Sequence, residues 1–208
     1  MSTVEELAAT IVDRAQHSRR YLTALAGPPG SGKSTLSEAL AAALPPGSAA
    51  VVQADGFHFD NVLLDRLGRR AWKGAPDTFD CRGLDFLLRR IRNSEPDVIA
   101  PVFDRTLDVA RAGAVMIGED VRHVIVESNY LALGTGPWSL LRQHFDCTVF
   151  IEVPRQELQR RLMSRWLDLG FSADAARQKV EGNDLRNADL VLSQSRDWDL
   201  TWRPCDPS

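Results

Sequence analysis

A glycine-rich segment followed by a lysine and two hydroxyl side chains is the first part of the sequence that could do chemistry. It reads Gly27-Pro28-Pro29-Gly30-Ser31-Gly32-Lys33-Ser34-Thr35 and fits the pattern G-x-x-x-x-G-K-[ST]. Glycines let the backbone wrap closely around an anion, so that successive N–H groups point inward. The lysine ammonium can reach the β- and γ-phosphates of a nucleotide, and the serine hydroxyl can ligate Mg²⁺. The segment, called the phosphate loop below, therefore predicts a site for ATP and Mg²⁺.

Two acidic residues follow predicted strands and could complete this site. Asp55 comes after the apolar run 50–54, and Glu127 comes after the run 121–126. The carboxyl ends of parallel strands meet at one edge of an open α/β sheet, so both carboxylates should emerge beside the phosphate loop. One can hold Mg²⁺ through water, while the other accepts the proton of an attacking hydroxyl. We assign Asp55 as the base and predict metal contacts from Ser34, Asp55 and Glu127.

Short strands that alternate with helices must position these groups. The phosphate loop lies between an apolar strand at 21–26 and a helix at 36–44, which is the context that supports a P-loop. Further strands are expected at 50–54, 121–126 and 148–153, with a strand entering 101–105. Helices are expected at 3–18, 83–93 and 154–169, whereas residues 59–82 look irregular. This alternation predicts an α/β fold of three layers with a mainly parallel sheet, in a single domain covering 1–208.

Composition limits the classes of partner. The chain has 208 residues and a formal charge of −3, so it lacks the broad positive field that holds a nucleic-acid backbone. No apolar run approaches the roughly 20 residues that a membrane-spanning helix needs. Cys81, Cys147 and Cys205 form no CxxC pair and predict neither a disulfide framework nor a zinc site. We expect a cytoplasmic protein that acts on a small molecule, without nucleic-acid or membrane partners.

Several further motifs make the sequence resemble a known family. They are Asp55-Gly56-Phe57-His58, the run Lys73-Gly74-Ala75-Pro76-Asp77-Thr78-Phe79-Asp80, Val126-Glu127-Ser128-Asn129-Tyr130, and Arg161 to Trp166 with Asn183-Asp184 and Asn187-Ala188 after it. Over roughly residues 20–195 the chain resembles the P-loop kinases of the uridine kinase, pantothenate kinase and phosphoribulokinase family. It is most similar to the small bacterial branch that includes kinases encoded beside fructose transport systems. Ser128 departs from the family, in which glycine is common at that position.

The resemblance implies roles for individual residues. Asp55 matches the catalytic carboxylate, and Glu127 matches the Walker B acid. Acceptor-side roles are implied for a larger set, namely Lys73, Asp77, Asp80, Asp104 and Arg105. For His58, which adjoins the site, acceptor contact and plain packing both remain open.

A helical lid is expected at about 155–175. Arg161 and Arg165 are four residues apart and hence neighbours on one helix face. Their guanidinium groups are suited to stabilising charge on a transferring phosphoryl group, and the family resemblance supports that role. Asn183 and Asn187 are candidates for the adenine edge, although asparagines near a helix end are also common caps and turn formers.

The leading hypothesis is an ATP-dependent kinase that phosphorylates a hydroxyl of a small metabolite. A GTPase-like switch is the alternative, but the sequence lacks the N-K-x-D motif that reads guanine. A third hypothesis is a regulatory nucleotide-binding module without catalysis, against which Asp55 and Glu127 argue. The acceptor stays open among sugar, nucleoside and pantothenate-like compounds, with the resemblance favouring a sugar such as fructose. A homodimer is the default oligomeric state.

Overall fold

A five-stranded parallel sheet forms the centre of the computed structural model, which describes residues 1–204. Its strands are β1 (Tyr21–Ala26), β2 (Ala49–Gln53), β5 (His123–Ser128), β6 (Cys147–Ile151) and β7 (Leu200–Trp202). They lie in the order β2-β5-β1-β6-β7, and every neighbouring pair is parallel. The predicted parallel α/β fold is therefore confirmed. β7 was not predicted from the sequence, because it is only three residues long and too short to show a periodic pattern.

Helices connect these strands. Within residues 1–204 they are α1 (Val4–Arg14), α2 (Lys33–Ala43), α3 (Asn61–Arg66), α4 (Cys81–Arg92), α5 (Gly136–Ser139), α6 (Arg155–Asp168), α7 (Ala173–Lys179) and α8 (Leu185–Gln194). Thr3 caps α1 as expected, because its hydroxyl accepts a hydrogen bond from the Glu6 N–H. Pro154 occupies the cap position of α6 and not its first helical position.

The sheet is buried on both faces. All six residues of β1 are buried, and alternate residues point to opposite sides. Leu22 and Ala24 belong to one hydrophobic cluster together with Leu84 of α4. Leu25 belongs to a second cluster together with Leu36 of α2. The result is three layers, helices–sheet–helices, with the strand that leads into the phosphate loop at the centre of the core.

A two-stranded antiparallel sheet stands apart from the central sheet. It pairs β3 (Val98–Asp104) with β4 (Val109–Ile117). The sequence predicted a strand entering 101–105 but missed β4. Most of β4 is exposed on both faces, so it lacks the apolar alternation that marks a half-buried strand.

The segment 59–82, predicted to be irregular, contains a short helix. The expectation was wrong for α3, which begins after Asp60. The Asp60 carboxylate accepts a hydrogen bond of 2.8 Å from the Val62 N–H and so caps this helix. In residues 1–204, no helix combines the length and apolar character that crossing a bilayer requires. Cys205 lies outside the described residues, while Cys81 and Cys147 are buried free thiols.

Candidate active site

The phosphate loop joins β1 to α2 and is shaped by glycines. Gly30 and Gly32 have φ angles of +80° and +91°, in the left-handed region that favours glycine. Gly32 is the cap residue of α2 and supplies no side-chain acceptor to the first N–H groups of that helix. These N–H groups are therefore available to an anion at the positive end of the helix dipole.

Close packing leaves no room for a side chain at two glycines of the loop, Gly27 and Gly30. A Cβ atom added to Gly27 would lie 2.9 Å from Ser31 Oγ and 3.1 Å from Ile151. One added to Gly30 would lie 3.1 Å from Leu162, so α6 packs directly on the loop. The Ser31 hydroxyl is buried and has no hydrogen-bond partner among the described residues. A phosphate oxygen would satisfy this hydroxyl, so the loop fits a bound nucleotide.

Lys33 lies folded over the loop. Its Nζ donates hydrogen bonds of 3.1 Å to the carbonyl oxygens of Gly27 and Pro28. Burial lowers the pKa of Lys33 to about 8, although the carboxylates of Glu127 and Asp55 oppose the shift. An ammonium group with this pKa loses part of its charge just above neutral pH.

ATP binding is expected to take up protons near pH 8. Phosphate oxygens next to Lys33 stabilise its charged form and raise its pKa from about 8. Because the bound state then holds more protons than the free state, affinity for ATP should fall as pH rises through 8. Isothermal titration calorimetry with ATP at pH 8, in two buffers of different ionisation enthalpy, measures this uptake. Lys33→Arg, which stays charged, should take up no proton at this site; equal uptake by both proteins would contradict the assignment.

Glu127 and Ser34 form a pair of oxygen ligands beside the loop. Glu127 is the second-last residue of β5, not the residue after it, and is paired in register with Leu25 of β1. Its Oε2 accepts a hydrogen bond of 3.0 Å from Ser34 Oγ. Glu127 is buried, and burial raises the pKa of its carboxyl while Lys33 lowers it.

Asp55 lies in the turn Ala54–Phe57, two residues beyond the end of β2. Its carboxylate is half-buried, and Oδ2 lies 3.0 Å from the guanidinium of Arg105 on the β3–β4 turn. Asp55 influences the pKa of both Lys33 and Glu127, so the three charges share one local field. The arrangement places two carboxylates and one ammonium at the carboxyl edge of the sheet.

The oxygen atoms at this edge suit a hard cation. Ser34, Glu127 and Asp55 offer a hydroxyl and two carboxylates, the kind of ligands that Mg²⁺ prefers. In residues 1–204, no group of three or more His, Cys, Asp and Glu side chains forms a metal cage. This donor set therefore fits Mg²⁺, which is usually held by one or two carboxylates together with substrate phosphates and water.

Gly56 holds the Asp55 turn against β3. A Cβ atom at Gly56 would lie 2.6 Å from the carbonyl oxygen of Pro101. Gly56→Ala is expected to destabilise the protein by about 1–3 kcal/mol, because the backbone must shift to relieve the overlap. It should also lower phosphoryl transfer, because the shift displaces Asp55. Urea unfolding and a kinase assay measure the two effects. Gly118→Ala, where an added Cβ meets nothing within 4 Å, is the control; equal behaviour of the two variants would contradict this reading.

His58 and Lys73, for which the sequence suggests acceptor-side roles, have partners within the protein. His58 Nδ1 is 2.7 Å from the Asp55 carbonyl oxygen. The centroid of the His58 ring lies 3.9 Å from that of Phe79 and 4.7 Å from that of Phe103. Lys73 Nζ is almost buried and bonds Asn61 Oδ1 at 2.7 Å, the Asp108 carbonyl at 2.6 Å and the Asp108 carboxylate at 3.0 Å. These contacts use all three N–H groups of Lys73 within the protein.

The remaining acceptor-side acids have other partners. Asp80 caps α4, because its Oδ1 accepts a hydrogen bond of 2.8 Å from the Gly83 N–H. Asp104 accepts hydrogen bonds from the N–H groups of Thr106 and Leu107, at 3.1 and 3.0 Å. Asp77 is exposed and pairs with Arg69 at 2.8 Å. Of the acceptor-side residues expected from the sequence, the structure therefore brings His58 and Arg105 next to Asp55.

Two arginines of α6, Arg161 and Arg165, lie near the phosphate loop and Asp55. Arg161 NH1 is 4.0 Å from the position that a Cβ of Gly32 would occupy, and its Nε bonds Glu157 at 2.7 Å. Burial lowers the pKa of Arg165, as does the nearby Arg105, while Asp184 and Asp55 raise it. α6 therefore presents two guanidinium groups to the region between loop and acceptor side.

Asn183 lies against residues 73–80, which we call the acceptor segment, and Asn187 in turn contacts Asn183. Asn183 Nδ2 donates a hydrogen bond of 2.9 Å to the Lys73 carbonyl, and Asn187 Nδ2 donates one of 3.1 Å to Asn183 Oδ1. Tyr130 also reaches this segment, because its hydroxyl donates to the Gly74 carbonyl. The sequence analysis gave no role to Tyr130, although it ends the quoted Glu127 motif. Asp108 was missed because a single acid in a turn gives no signal of its own.

The glycine loop between β1 and α2, with a lysine, a hydroxyl and two carboxylates at its mouth, defines a P-loop nucleotide-binding protein. No family model matches the chain. An Escherichia coli K12 relative, named uncharacterized protein YggC, is 37% identical over 88% of this chain and 77% of the relative. A Schizosaccharomyces pombe relative, named a putative uridine kinase, is 33% identical over 94% of this chain and 92% of the relative.

Among solved structures, a protein of Silicibacter sp. TM1040, named a putative fructose transport system kinase, is 43% identical with a TM-score of 0.92. That match covers 97% of this chain and all of the other. A pantothenate kinase of Mycolicibacterium vanbaalenii is 28% identical over 88% of this chain, which spans 61% of the length of that enzyme. The chain belongs to the P-loop kinase family of the uridine and pantothenate kinases. It is a small-molecule kinase.

Proposed function

We propose that the protein transfers the γ-phosphoryl group of ATP to a hydroxyl of a small metabolite, with Asp55 as the general base. The observation that carries the proposal is the shared field of Asp55, Glu127 and Lys33 beside the phosphate loop. A switch protein needs only to hold its nucleotide, whereas a second carboxylate facing the acceptor side suits proton abstraction.

In the proposed reaction the acceptor hydroxyl gives its proton to the Asp55 carboxylate. The acceptor oxygen forms a bond to the γ-phosphorus, and the bond from that phosphorus to the β–γ bridging oxygen breaks, so that ADP leaves. Lys33 and the loop N–H groups stabilise the charge on the phosphates. Ser34 and Glu127 would hold Mg²⁺, which neutralises the phosphate oxygens when bound.

The ion pair between Arg105 and Asp55 affects access of the acceptor hydroxyl to the Asp55 carboxylate. At 3.0 Å the guanidinium covers the carboxylate that must receive the proton. Arg105 lies on the turn between β3 and β4, and its side chain is more than half exposed. We assign to Arg105 contact with the acceptor, which separates it from Asp55 and leaves the base uncovered. His58, packed between Phe79 and Phe103, forms an adjacent wall of the acceptor pocket.

Lys73, Asp80 and Asp104 are better explained as residues that shape the pocket than as contacts to the acceptor. Their polar atoms are engaged with Asp108, with the start of α4 and with the β3–β4 turn. Asp77 we assign to the surface pair with Arg69. For Asn183 and Asn187 we propose a positioning role in place of adenine contact, because their amides bond the acceptor segment and each other.

Product formation with a panel of acceptors tests the proposed function. Purified protein with ATP and Mg²⁺ is incubated with fructose, other hexoses, pentoses, nucleosides and pantothenate, and phosphorylated products are detected by mass spectrometry. We expect one class to be phosphorylated, and a sugar is the first choice because the relative of 43% identity is named for fructose transport. Bound ATP with no phosphorylated acceptor, and a partner protein that distinguishes ATP from ADP, would instead support a regulatory role.

The two arginines proposed for the lid, Arg161 and Arg165, give a prediction for the rate of phosphoryl transfer. Arg161→Gln and Arg165→Gln should each lower kcat by about 10²–10³-fold, because each removes a cation from the transferring phosphoryl group. Arg155→Gln is the matched control, because Arg155 lies on the same helix, is half exposed and pairs with Asp189 at 2.7 Å. Steady-state kinetics measure the three values. An equal decrease in all three variants would point to disturbance of the helix and contradict the assigned role.

A further inference from the structure

A single π-helical turn, Val180–Asp184, joins α7 to α8. The Leu185 N–H bonds the Val180 carbonyl five residues earlier, as the π geometry requires. π turns inside helices are rare and frequently lie at functional sites. The last two residues of this turn, Asn183 and Asp184, have polar side chains that contact two different parts of the molecule.

Asn183 contacts the acceptor segment. Its amide donates a hydrogen bond of 2.9 Å to the Lys73 carbonyl, and its Oδ1 accepts one of 3.1 Å from Asn187. The second bond fixes the orientation of the amide. Gly74, which follows Lys73, has a φ angle of +96°, and its carbonyl accepts a hydrogen bond from the Tyr130 hydroxyl. Asn183 thus helps to hold the turn at which the acceptor segment begins.

Asp184 contacts the lid. Its Oδ2 accepts a hydrogen bond of 2.6 Å from Trp166 Nε1 on α6. Burial raises the pKa of Asp184, while the bond from Trp166 and the charge of Arg165 lower it. Trp166 is further fixed by Phe171, at 5.1 Å between ring centroids, and by Lys179, whose Nζ lies 4.6 Å from the ring. Movement of the lid must therefore act on Asp184.

We infer that Asn183 and Asp184 are positioning residues that couple the lid to the acceptor segment. Adjacent residues of a helix point about 100° apart, so one short turn can reach both neighbours at once. When the lid closes over ATP, the Trp166–Asp184 bond shifts the π turn, and Asn183 transmits that shift to Lys73 and Gly74. The nucleotide site thereby prepares the acceptor site. The inference rests on the proposed function, in which Arg161 and Arg165 of α6 act on the transferring phosphoryl group.

Hydrogen–deuterium exchange with the non-hydrolysable analogue AMP-PNP and Mg²⁺ tests the coupling without a known acceptor. In the wild-type protein we expect slower exchange in two places, the phosphate loop and residues 70–78. Asn183→Ala should keep the protection of the phosphate loop and lose that of residues 70–78. Trp166→Phe, which removes the N–H and keeps an aromatic ring, should have the same effect from the lid side.

Asp189→Asn is the matched control. Asp189 also links α8 to α6, through Arg155 at 2.7 Å, and its two carboxylate oxygens both accept from that guanidinium and not from the acceptor segment. This variant should therefore keep both regions protected. Two results would overturn the coupling. In the first, residues 70–78 stay protected in Asn183→Ala. In the second, the phosphate loop of the wild-type protein is protected but residues 70–78 are not. No protection of the loop itself would instead refute the nucleotide site and with it the proposed function.

Discussion

Replacing Asp55 with asparagine is expected to lower kcat for phosphoryl transfer by about 10²–10⁴-fold, the contribution typical of a general base. The amide keeps the size of the side chain and its contact with Arg105, but it cannot accept the acceptor proton. Affinity for ATP should change little, because the phosphate loop and Lys33 remain intact. Steady-state kinetics and calorimetric titration with ATP separate the two quantities.

The control for this variant is Asp60→Asn. Asp60 lies five residues later and allows the same change from aspartate to asparagine. Its side chain caps α3, and asparagine is an equally good cap. Activity should be close to that of the wild type. If Asp55→Asn retained full turnover, or if both variants lost activity together, Asp55 would not be the base.

Replacing Lys33 with methionine is expected to have a comparable effect on kcat, about 10²–10³-fold, together with weaker ATP binding. The change removes the ammonium that faces the β- and γ-phosphates, and loss of one such electrostatic contact typically has this cost. Stability should not fall. Burial already lowers the pKa of Lys33 to about 8, which means that the folded state disfavours its charge, and methionine relieves that cost.

A loss of activity without a loss of stability distinguishes this result from unfolding of the variant. Thermal or urea denaturation of Lys33→Met should give a midpoint equal to or above that of the wild type, while turnover collapses. A variant that lost stability and activity in parallel would indicate that Lys33 supports the loop through its bonds to Gly27 and Pro28 and not the phosphates.

Much of the fold could be predicted from sequence because its signals are local. β1, β5 and β6 are apolar runs buried on both faces, and such strands read as continuous hydrophobic stretches. The phosphate loop is recognisable because its glycines and Lys33 are contiguous. β4 and β7 were missed because the first is exposed and the second is short.

The acceptor side was harder to predict because its contacts join distant parts of the chain. Lys73 is held by Asn61 and Asp108, 12 and 35 residues away, and no spacing rule connects them. Asp80 and Asp104 match the family motifs by residue type, yet their carboxylates bond nearby backbone N–H groups. A sequence motif shows which residues occur together, whereas only coordinates show which polar atoms are already engaged.

The most direct test of the central claim is a crystal structure with AMP-PNP and Mg²⁺. We expect the triphosphate in the loop 27–35, the γ-phosphate bonded to Lys33, the metal bound by Ser34 with Glu127 beside it, and the Asp55 carboxylate facing the γ-phosphate from the acceptor side. A triphosphate bound elsewhere, or an Asp55 carboxylate turned away from the γ-phosphate, would contradict the account.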